Sequence, residues 1–248
     1  MWQQINSATI LKMPQCFARY LLFQTVLLLV LCGRGTCQDS TYLVEPGIHP
    51  GKVIPVSKQF RYPEFREGRV LLSTGKQSEP LLLNYNLLYD AVLLKGANGD
   101  TVWLDKTLVE YVQIENDYYF SDLNHGYFRL VTKEGPLKLM IMSRWILLSK
   151  YSLNSQWQAF ETPQTPSRVE DFYFPSQYTR FARIEAYFFQ GPTNKVYKSV
   201  KQSLIKIFPD NKKTINRYLA DRKVDFTKES DLKEIVAFCN SLVVSKGH

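Results

Sequence analysis

Few residues of this chain have the type and the spacing that catalysis requires. Histidine occurs only at positions 49, 125 and 248. His49 lies in a Pro-rich stretch and His248 is the last residue, so a Ser–His–Asp relay or a histidine metal site would depend on His125. That residue stands in the turn-like sequence Asn124-His125-Gly126. No nucleophile-elbow, phosphate-loop or zincin motif occurs. The pattern favours a solvated turn histidine.

Acidic residues offer two further chemistries. Asp117, Asp122 and Asn124 are close in sequence, but their spacing does not match an EF-hand loop and its bidentate glutamate is missing. Capping of a polar turn by these side chains explains the cluster better. Candidate members of a hydrolytic carboxylate pair are Glu110, Glu115, Asp117 and Glu185. Such a pair is defined by its separation in space, so we assign no catalytic, cofactor-binding or metal-binding residue.

Aromatic residues are abundant, with 15 Tyr, 15 Phe and 4 Trp. Tyrosine combines apolar area with a polar tip, which suits a binding surface. We therefore treat Tyr118, Tyr119 and Tyr127 as a candidate interaction surface. The alternative is that these side chains pack the sheet, as β propensity alone predicts.

The N-terminus is typical of an export signal. Lys12 and Arg19 precede an apolar run over 20–32, and small and polar residues follow it. The run is shorter than the roughly 20 residues that cross a bilayer, so we expect a cleaved signal peptide over 1–37. A retained membrane or lipid anchor, and a start at Met13 instead of Met1, stay open as alternatives.

Composition and charge exclude several classes. With 45% hydrophobic and 22% charged residues, the chain is not of the disordered, collagen or disulfide-scaffold type. After cleavage Cys239 would be the only thiol, so we expect a small buried hydrophobe and no internal disulfide. Of the net charge of +8, the segment 195–248 contributes +6, from 12 Lys/Arg and 6 Asp/Glu. An exported protein seldom meets nucleic acid, so we interpret these charges as solvated helix faces. The alternative is attraction to anionic envelope surfaces or to an acidic partner.

The hydrophobic patterns predict an α+β fold. Residues 38–67 form a Pro-rich, irregular lead-in, and 68–190 contain short alternating strands separated by turns. We expect an antiparallel sheet, a sandwich or a partly open barrel there, with a polar loop over 151–168. From Val196 the apolar period changes to that of a helix. Three short helices over 196–243 should pack on the sheet, because they are too small to form a core alone.

The last segment carries a resemblance. Its Lys-rich sequence 198–213 contains Phe208-Pro-Asp210 and is followed by two further helical stretches. This order resembles the C-terminal end of uncharacterised exported or cell-envelope proteins of Bacteroidota. The resemblance implies a periplasmic, outer-membrane-associated or extracellular location. It carries no catalytic motif.

These observations favour a non-enzymatic protein that binds or scaffolds another macromolecule. Another envelope protein or a glycan is the expected partner, and no cofactor is expected. Contact with a membrane would occur only through the export signal or peripherally. The alternatives are a small-ligand carrier with a cavity in the sheet and a carboxylate-dependent hydrolase. The position and lining of the largest pocket distinguish the three.

Overall fold

A computed structural model describes residues 41–152, 158–164 and 173–244. The described residues belong to one compact unit. The predicted signal peptide over 1–37 lies outside them.

Within these residues, twelve antiparallel strands form one sheet. The strands are β1 (Thr41–Val44), β2 (Arg66–Leu72), β3 (Leu81–Asn86), β4 (Ala91–Lys95), β5 (Thr101–Trp103), β6 (Val109–Ile114), β7 (Asp117–Asp122), β8 (Gly126–Leu130), β9 (Lys138–Ser152), β10 (Gln158–Gln164), β11 (Gln177–Gln190) and β12 (Val196–Lys198). Across the sheet, neighbouring strands follow the order β1-β11-β9-β8-β7-β6-β2-β3-β4-β5, with β10 beside β9 and β12 beside β11. The two ends of this order do not pair, so the sheet is not closed into a barrel and the predicted α+β class is confirmed.

Helices flank this sheet in the sequence. Two single-turn helices precede β2, and three longer helices follow β12. They are α1 (Pro50–Val53), α2 (Val56–Gln59), α3 (Lys201–Ile207), α4 (Lys212–Arg222) and α5 (Glu229–Val244). Two 3-10 turns occur at Lys106–Leu108 and Pro209–Asn211.

The Pro-rich lead-in is more regular than its sequence predicts. Pro50 occupies the first turn of α1 and Pro55 precedes α2 as its N-cap, where a missing N–H costs little. Val44 in β1 and Ile54 between the helices are buried, and β1 pairs with β11. The lead-in therefore belongs to the core of the sheet.

Two boundaries also differ from the sequence-based prediction. Residues 158–164, predicted as part of a polar loop, form β10 along β9. Val196 and Tyr197, predicted to start the first C-terminal helix, pair with the end of β11 instead. That helix begins at Lys201. The sequence-based boundary was wrong because a short apolar run fits a strand edge as well as a helix turn. The strand predicted over 169–174 lies mostly outside the described residues, and Tyr173 and Phe174 are not in a strand.

The predicted hairpin at Asn98-Gly99 is confirmed. Gly99 has φ +87°, a conformation that glycine adopts without strain. The Gly96 N–H donates to the Asp100 carbonyl at 2.7 Å. This turn joins β4 to β5 at one end of the sheet.

The strand register defines two faces of the sheet. Val112 pairs with Val70 on β2 and with Tyr119 on β7, and these three side chains lie on what we call the core face. Their neighbours Gln113 and Tyr118 point the opposite way, onto what we call the groove face, because side chains alternate along a strand.

The core face carries two apolar clusters, one of them beneath the C-terminal helices. Leu139 and Phe189 of the sheet pack there with Phe208, Ile215 and Cys239 of the helical segment. The predicted packing of the helices on the sheet is therefore confirmed. Burial raises the pKa of the Cys239 thiol to about 12, as expected for a thiol that fills space in a core.

The side chains of the second core-face cluster are enclosed because the sheet curls. The Trp145 backbone N–H on β9 donates to the Leu87 carbonyl at 2.9 Å, between β3 and β4. The Trp145 indole N–H donates to the Lys58 carbonyl at 3.0 Å. The turn after β3 is thus brought against the long strand β9, and the apolar residues of β2 to β8 are enclosed between them.

Candidate functional site

A groove with a volume of about 450 Å³ opens on the groove face of the sheet. Its lining residues come from β2, β6, β7 and β8 and from two neighbouring turns. They are Arg69, Leu71, Gln77, Tyr111, Gln113, Tyr118, Leu130 and Lys133. This volume is within the range of roughly 300–1,000 Å³ that is typical of ligand sites.

The strand register brings these residues together. Leu71 on β2 lies opposite Tyr111 on β6, and Arg69 lies opposite Gln113. Gln113 in turn lies opposite Tyr118 on β7. The intervening residues of the same strands are buried on the core face, so the floor of the groove is held in place by the core beneath it.

Two lysine side chains lie over the tyrosine rings. The Lys133 ammonium is 4.3 Å from the centroid of the Tyr118 ring and donates to the Asn116 carbonyl at 2.8 Å. The Lys138 ammonium is 5.8 Å from the centroid of the Tyr111 ring. Cation–π attraction of this kind holds a charge at a ring without neutralising it.

The charge of the groove is not balanced from within. None of its described lining residues is acidic. Among the ion pairs of the described residues, none includes Arg69, Lys133 or Lys138. A concave surface lined by charges of one sign concentrates ligands of the opposite sign.

A second cleft adjoins the groove at Lys133, which lines both. It has a volume of about 470 Å³ and lies between residues 132–135 and helix α5. Asn240 on α5 fixes the helix to this turn: its side-chain oxygen accepts from the Leu137 N–H at 2.9 Å, and its amide donates to the Leu137 carbonyl at 3.0 Å. Glu134 is the acidic residue among its lining residues.

Of the three predicted surface tyrosines, Tyr118 lines the groove, whereas Tyr119 and Tyr127 are each only 2% exposed on the core face. The Tyr119 hydroxyl is 2.9 Å from the Tyr62 hydroxyl. Tyr62 donates to Asp117 at 2.8 Å, and Arg129 lies 3.5 Å from the same carboxylate. Neighbouring residues of one strand point to opposite faces, so Tyr118 and Tyr119 do not share a surface.

The carboxylate of Asp90 joins three strands next to these tyrosines. It accepts from the Tyr85 hydroxyl at 2.5 Å, from the Tyr127 backbone N–H at 3.2 Å and from Arg144 at 3.1 Å. Its side chain is only 8% exposed. A Cβ at position 126 would overlap this carboxylate, so glycine is required there. We call these contacts the Asp90 network.

Burial keeps the phenols of this region protonated. It raises the pKa of Tyr119 to about 12. Burial and the nearby Asp90 carboxylate raise the pKa of Tyr85 well above its usual value, since both disfavour a phenolate. The cavity among Tyr85, Tyr119 and Tyr127 is about 10 Å³, room for no more than one water molecule. The Asp90 network therefore holds the sheet together and offers no space for a ligand.

The turn interpretation of Asp122 and His125 agrees with the structure. Asp122 accepts from the backbone N–H groups of Asn124 and His125 at 3.0 and 2.9 Å, and lies 2.8 Å from the His125 ring nitrogen. Asp117 belongs instead to the contacts of Tyr62 and Arg129. Within the described ranges, no group of three or more His, Cys, Asp or Glu side chains is placed to hold a metal ion.

Of the three remaining acidic candidates, Glu110 lines neither the groove nor the second cleft, and the other two pair with arginines near the surface. Glu115 lies 3.6 Å from Arg66, and Glu185 lies 3.0 Å from Arg183. Neither of these glutamates is among the residues that line the groove or the second cleft.

Sequence reasoning missed most of the groove. Arg69, Gln77, Tyr111, Gln113 and Lys133 were not identified as site residues. The sequence does contain a signal for this groove. In Tyr111-Val112-Gln113 an apolar valine separates an aromatic residue from a polar one. Such alternation marks a strand with one buried and one accessible face.

Comparisons with protein-family models, with curated proteins and with solved structures find no match to this chain. In the part of the chain that the structure describes, no helix has the length and apolar character of a membrane span. The candidate site is therefore defined by the geometry of this molecule alone.

Proposed function

We propose that this chain is an exported protein of the cell envelope or extracellular space with a non-enzymatic binding role, and that the groove is its binding site. The observation that carries the proposal is a preformed concave surface that combines two tyrosines with unneutralised basic residues. Surfaces of this composition suit recognition, because aromatic side chains supply contact area and charges supply orientation.

The carrier alternative has weaker support. A carrier encloses its ligand in a deep apolar cavity within the sheet. Here the apolar interior of the core face is filled by packed side chains, and the cavity found among them has about 10 Å³. The groove, in contrast, is open, and Arg69 and Lys133 are among its lining residues.

The hydrolase alternative also has weaker support. Two carboxylates about 5–10 Å apart in a cleft would favour it. None of the described residues that line the groove is acidic, and the second cleft contributes Glu134 alone. The proposal therefore assigns binding and no bond cleavage to the groove.

The proposed location rests on the N-terminal sequence. Lys12 and Arg19, the apolar run over 20–32 and the small residues after it have the order of a secretory signal. In that compartment the basic groove would attract an anionic surface, such as an envelope polymer or the acidic face of a partner.

A capture experiment tests this proposal. The purified protein is immobilised and exposed to an envelope extract of the cells that produce it, and the bound material is quantified. Lys133→Glu should lower capture by about tenfold, since it places like charge beside an anionic partner. Lys213→Glu changes the net charge by the same amount at an exposed position on α4 and should leave capture unchanged.

An equal loss in both variants would show that net charge, and not the groove, determines binding. Unchanged capture in Lys133→Glu would exclude the groove as the binding site. Thermal unfolding of both variants checks that each is folded.

A further inference from the structure

The charges of the groove indicate an anionic ligand. Arg69 and Lys133 are exposed and Lys138 is partly exposed, and none of them has an ion-pair partner among the described residues. The Lys133 ammonium is already held in place over the Tyr118 ring and by the Asn116 carbonyl. An anion that binds there meets a charge whose position is set in advance, which lowers the entropic cost of binding.

The strands beneath the groove argue against an extended peptide. Peptides bind sheets mainly by adding a strand to an unpaired edge. Strands β2, β6 and β7 each have a neighbour on both sides. Where β2 extends past its pairing with β3, its backbone bonds to the following turn: the Leu72 N–H donates to the Lys76 carbonyl, and the Ser78 N–H to the Val70 carbonyl. Recognition in the groove must therefore come from side chains.

The side chains of the groove suit a carbohydrate. Gln77 presents an amide that both donates and accepts hydrogen bonds, as vicinal hydroxyls require. The Gln113 amide already donates one N–H to the Glu115 carbonyl at 2.9 Å, which leaves its oxygen and its second N–H for a ligand. Tyr111 and Tyr118 are diagonal neighbours on adjacent strands, which places them about 7–8 Å apart. Both rings pack in part against a buried apolar cluster and have a lysine ammonium over them. They therefore offer a sugar the ring area that stays accessible, together with their hydroxyls as hydrogen-bonding groups.

From these contacts we infer that the groove binds a segment of a carboxylate-bearing polysaccharide, an inference that rests on the proposed binding function. The carboxylate of a uronic acid unit contacts Lys133, with Arg69 and Lys138 as further cationic contacts. The sugar ring contacts the accessible parts of Tyr111 and Tyr118 beside the two ammonium groups, and the glutamine amides bind its hydroxyls. The groove is open, so a polymer can pass through it while only a short segment is recognised.

Calorimetric titration of the full-length protein tests this inference. The probes are oligosaccharides of polygalacturonate, alginate and hyaluronate, each paired with its carboxyl-reduced, neutral form, and poly-L-glutamate as an acidic polypeptide. We expect at least one uronate to bind and its neutral form to bind at least about tenfold more weakly, since charge-assisted hydrogen bonds are lost. We also expect binding to weaken as ionic strength rises.

Three variants locate the site. Tyr118→Ala should weaken binding of that uronate by about tenfold or more, while Tyr118→Phe keeps the ring and retains most of the affinity. Lys133→Ala should weaken binding of the acidic form but not of the neutral form. Lys213→Ala removes an equal charge on α4 and should not change affinity.

Several results would overturn the inference. It fails if none of the three uronates binds, if the neutral forms bind equally well, or if poly-L-glutamate binds as tightly as the best uronate. If poly-L-glutamate binds and Lys133→Glu abolishes this binding, the groove recognises an acidic polypeptide and the proposed binding function stands. If groove variants leave both uronate binding and envelope capture intact, the proposed function fails as well.

Discussion

The two faces of β6 and β7 carry similar residues in different settings. On the core face, Tyr119 is buried beside Tyr62, and their neighbours Asp117 and Arg129 balance each other. On the groove face, Tyr118 is only partly buried and lies beneath the ammonium of Lys133, which has no ion-pair partner among the described residues. Residue type therefore does not separate a stabilising network from a binding site. The separation comes from whether a charge is neutralised by an oppositely charged neighbour within the fold.

Loss of the Asp90 carboxylate is the strongest test of this contrast. Asp90→Ala should lower the free energy of unfolding by about 3–5 kcal/mol, because it leaves the largely buried Arg144 without its carboxylate and Tyr85 without the shorter of its two hydrogen bonds. Urea denaturation measures the change. The control is Glu185→Ala, whose carboxylate is 48% exposed in its pair with Arg183 and which should cost no more than about 1 kcal/mol. Similar losses in both variants would contradict the structural role of the network.

Alkaline pH should lower the free energy of unfolding by a smaller amount than Asp90→Ala does. The pKa of Tyr119 is raised to about 12 by burial, from a usual value of 10.0. Between these values the unfolded chain releases the phenolic proton and the folded chain keeps it, so the stabilisation present below pH 10 is lost as pH rises towards 12. Each such tyrosine should lower the free energy of unfolding by about 1.4 kcal/mol per pH unit in that window.

Unfolding by urea at a series of pH values checks this slope. Tyr119→Phe should reduce it by the contribution of one group, because the phenylalanine ring has no proton to release. A slope that is unchanged in Tyr119→Phe would mean that this hydroxyl titrates alike in the folded and unfolded chains.

The smallest effect on stability is expected in the groove. Arg69→Ala and Lys133→Ala should change the free energy of unfolding by no more than about 0.5 kcal/mol, as is usual for exposed side chains that have no ion-pair partner among the described residues. The same urea denaturation that is used for Asp90→Ala measures it. Losses of several kcal/mol would place these residues among the structural ones and remove the contrast between the faces.

Much of the architecture was predictable from local sequence. The alternation of Val109 to Ile114 and the Asn98-Gly99 turn each indicate their element within a few residues. The switch to a helical period after Gly191 predicts the C-terminal helices and their packing on the sheet. The lead-in predicted as irregular contains β1, α1 and α2. Two further differences lie at Val196–Lys198 and over 158–164, where pairing with the long strands β9 and β11 decides the conformation.

The candidate site was less predictable, and Tyr118 and Tyr119 show why. Sequence by itself determines that these adjacent residues of a strand point to opposite faces, because side chains alternate at every position. It does not determine which face is enclosed, since both carry a tyrosine and an apolar neighbour. Only the tertiary structure decided that, through the curl that brings the Leu87 turn against Trp145 on β9. Contacts between residues so distant in sequence leave no periodic pattern in the chain, so the groove could be recognised only after the core face had been closed.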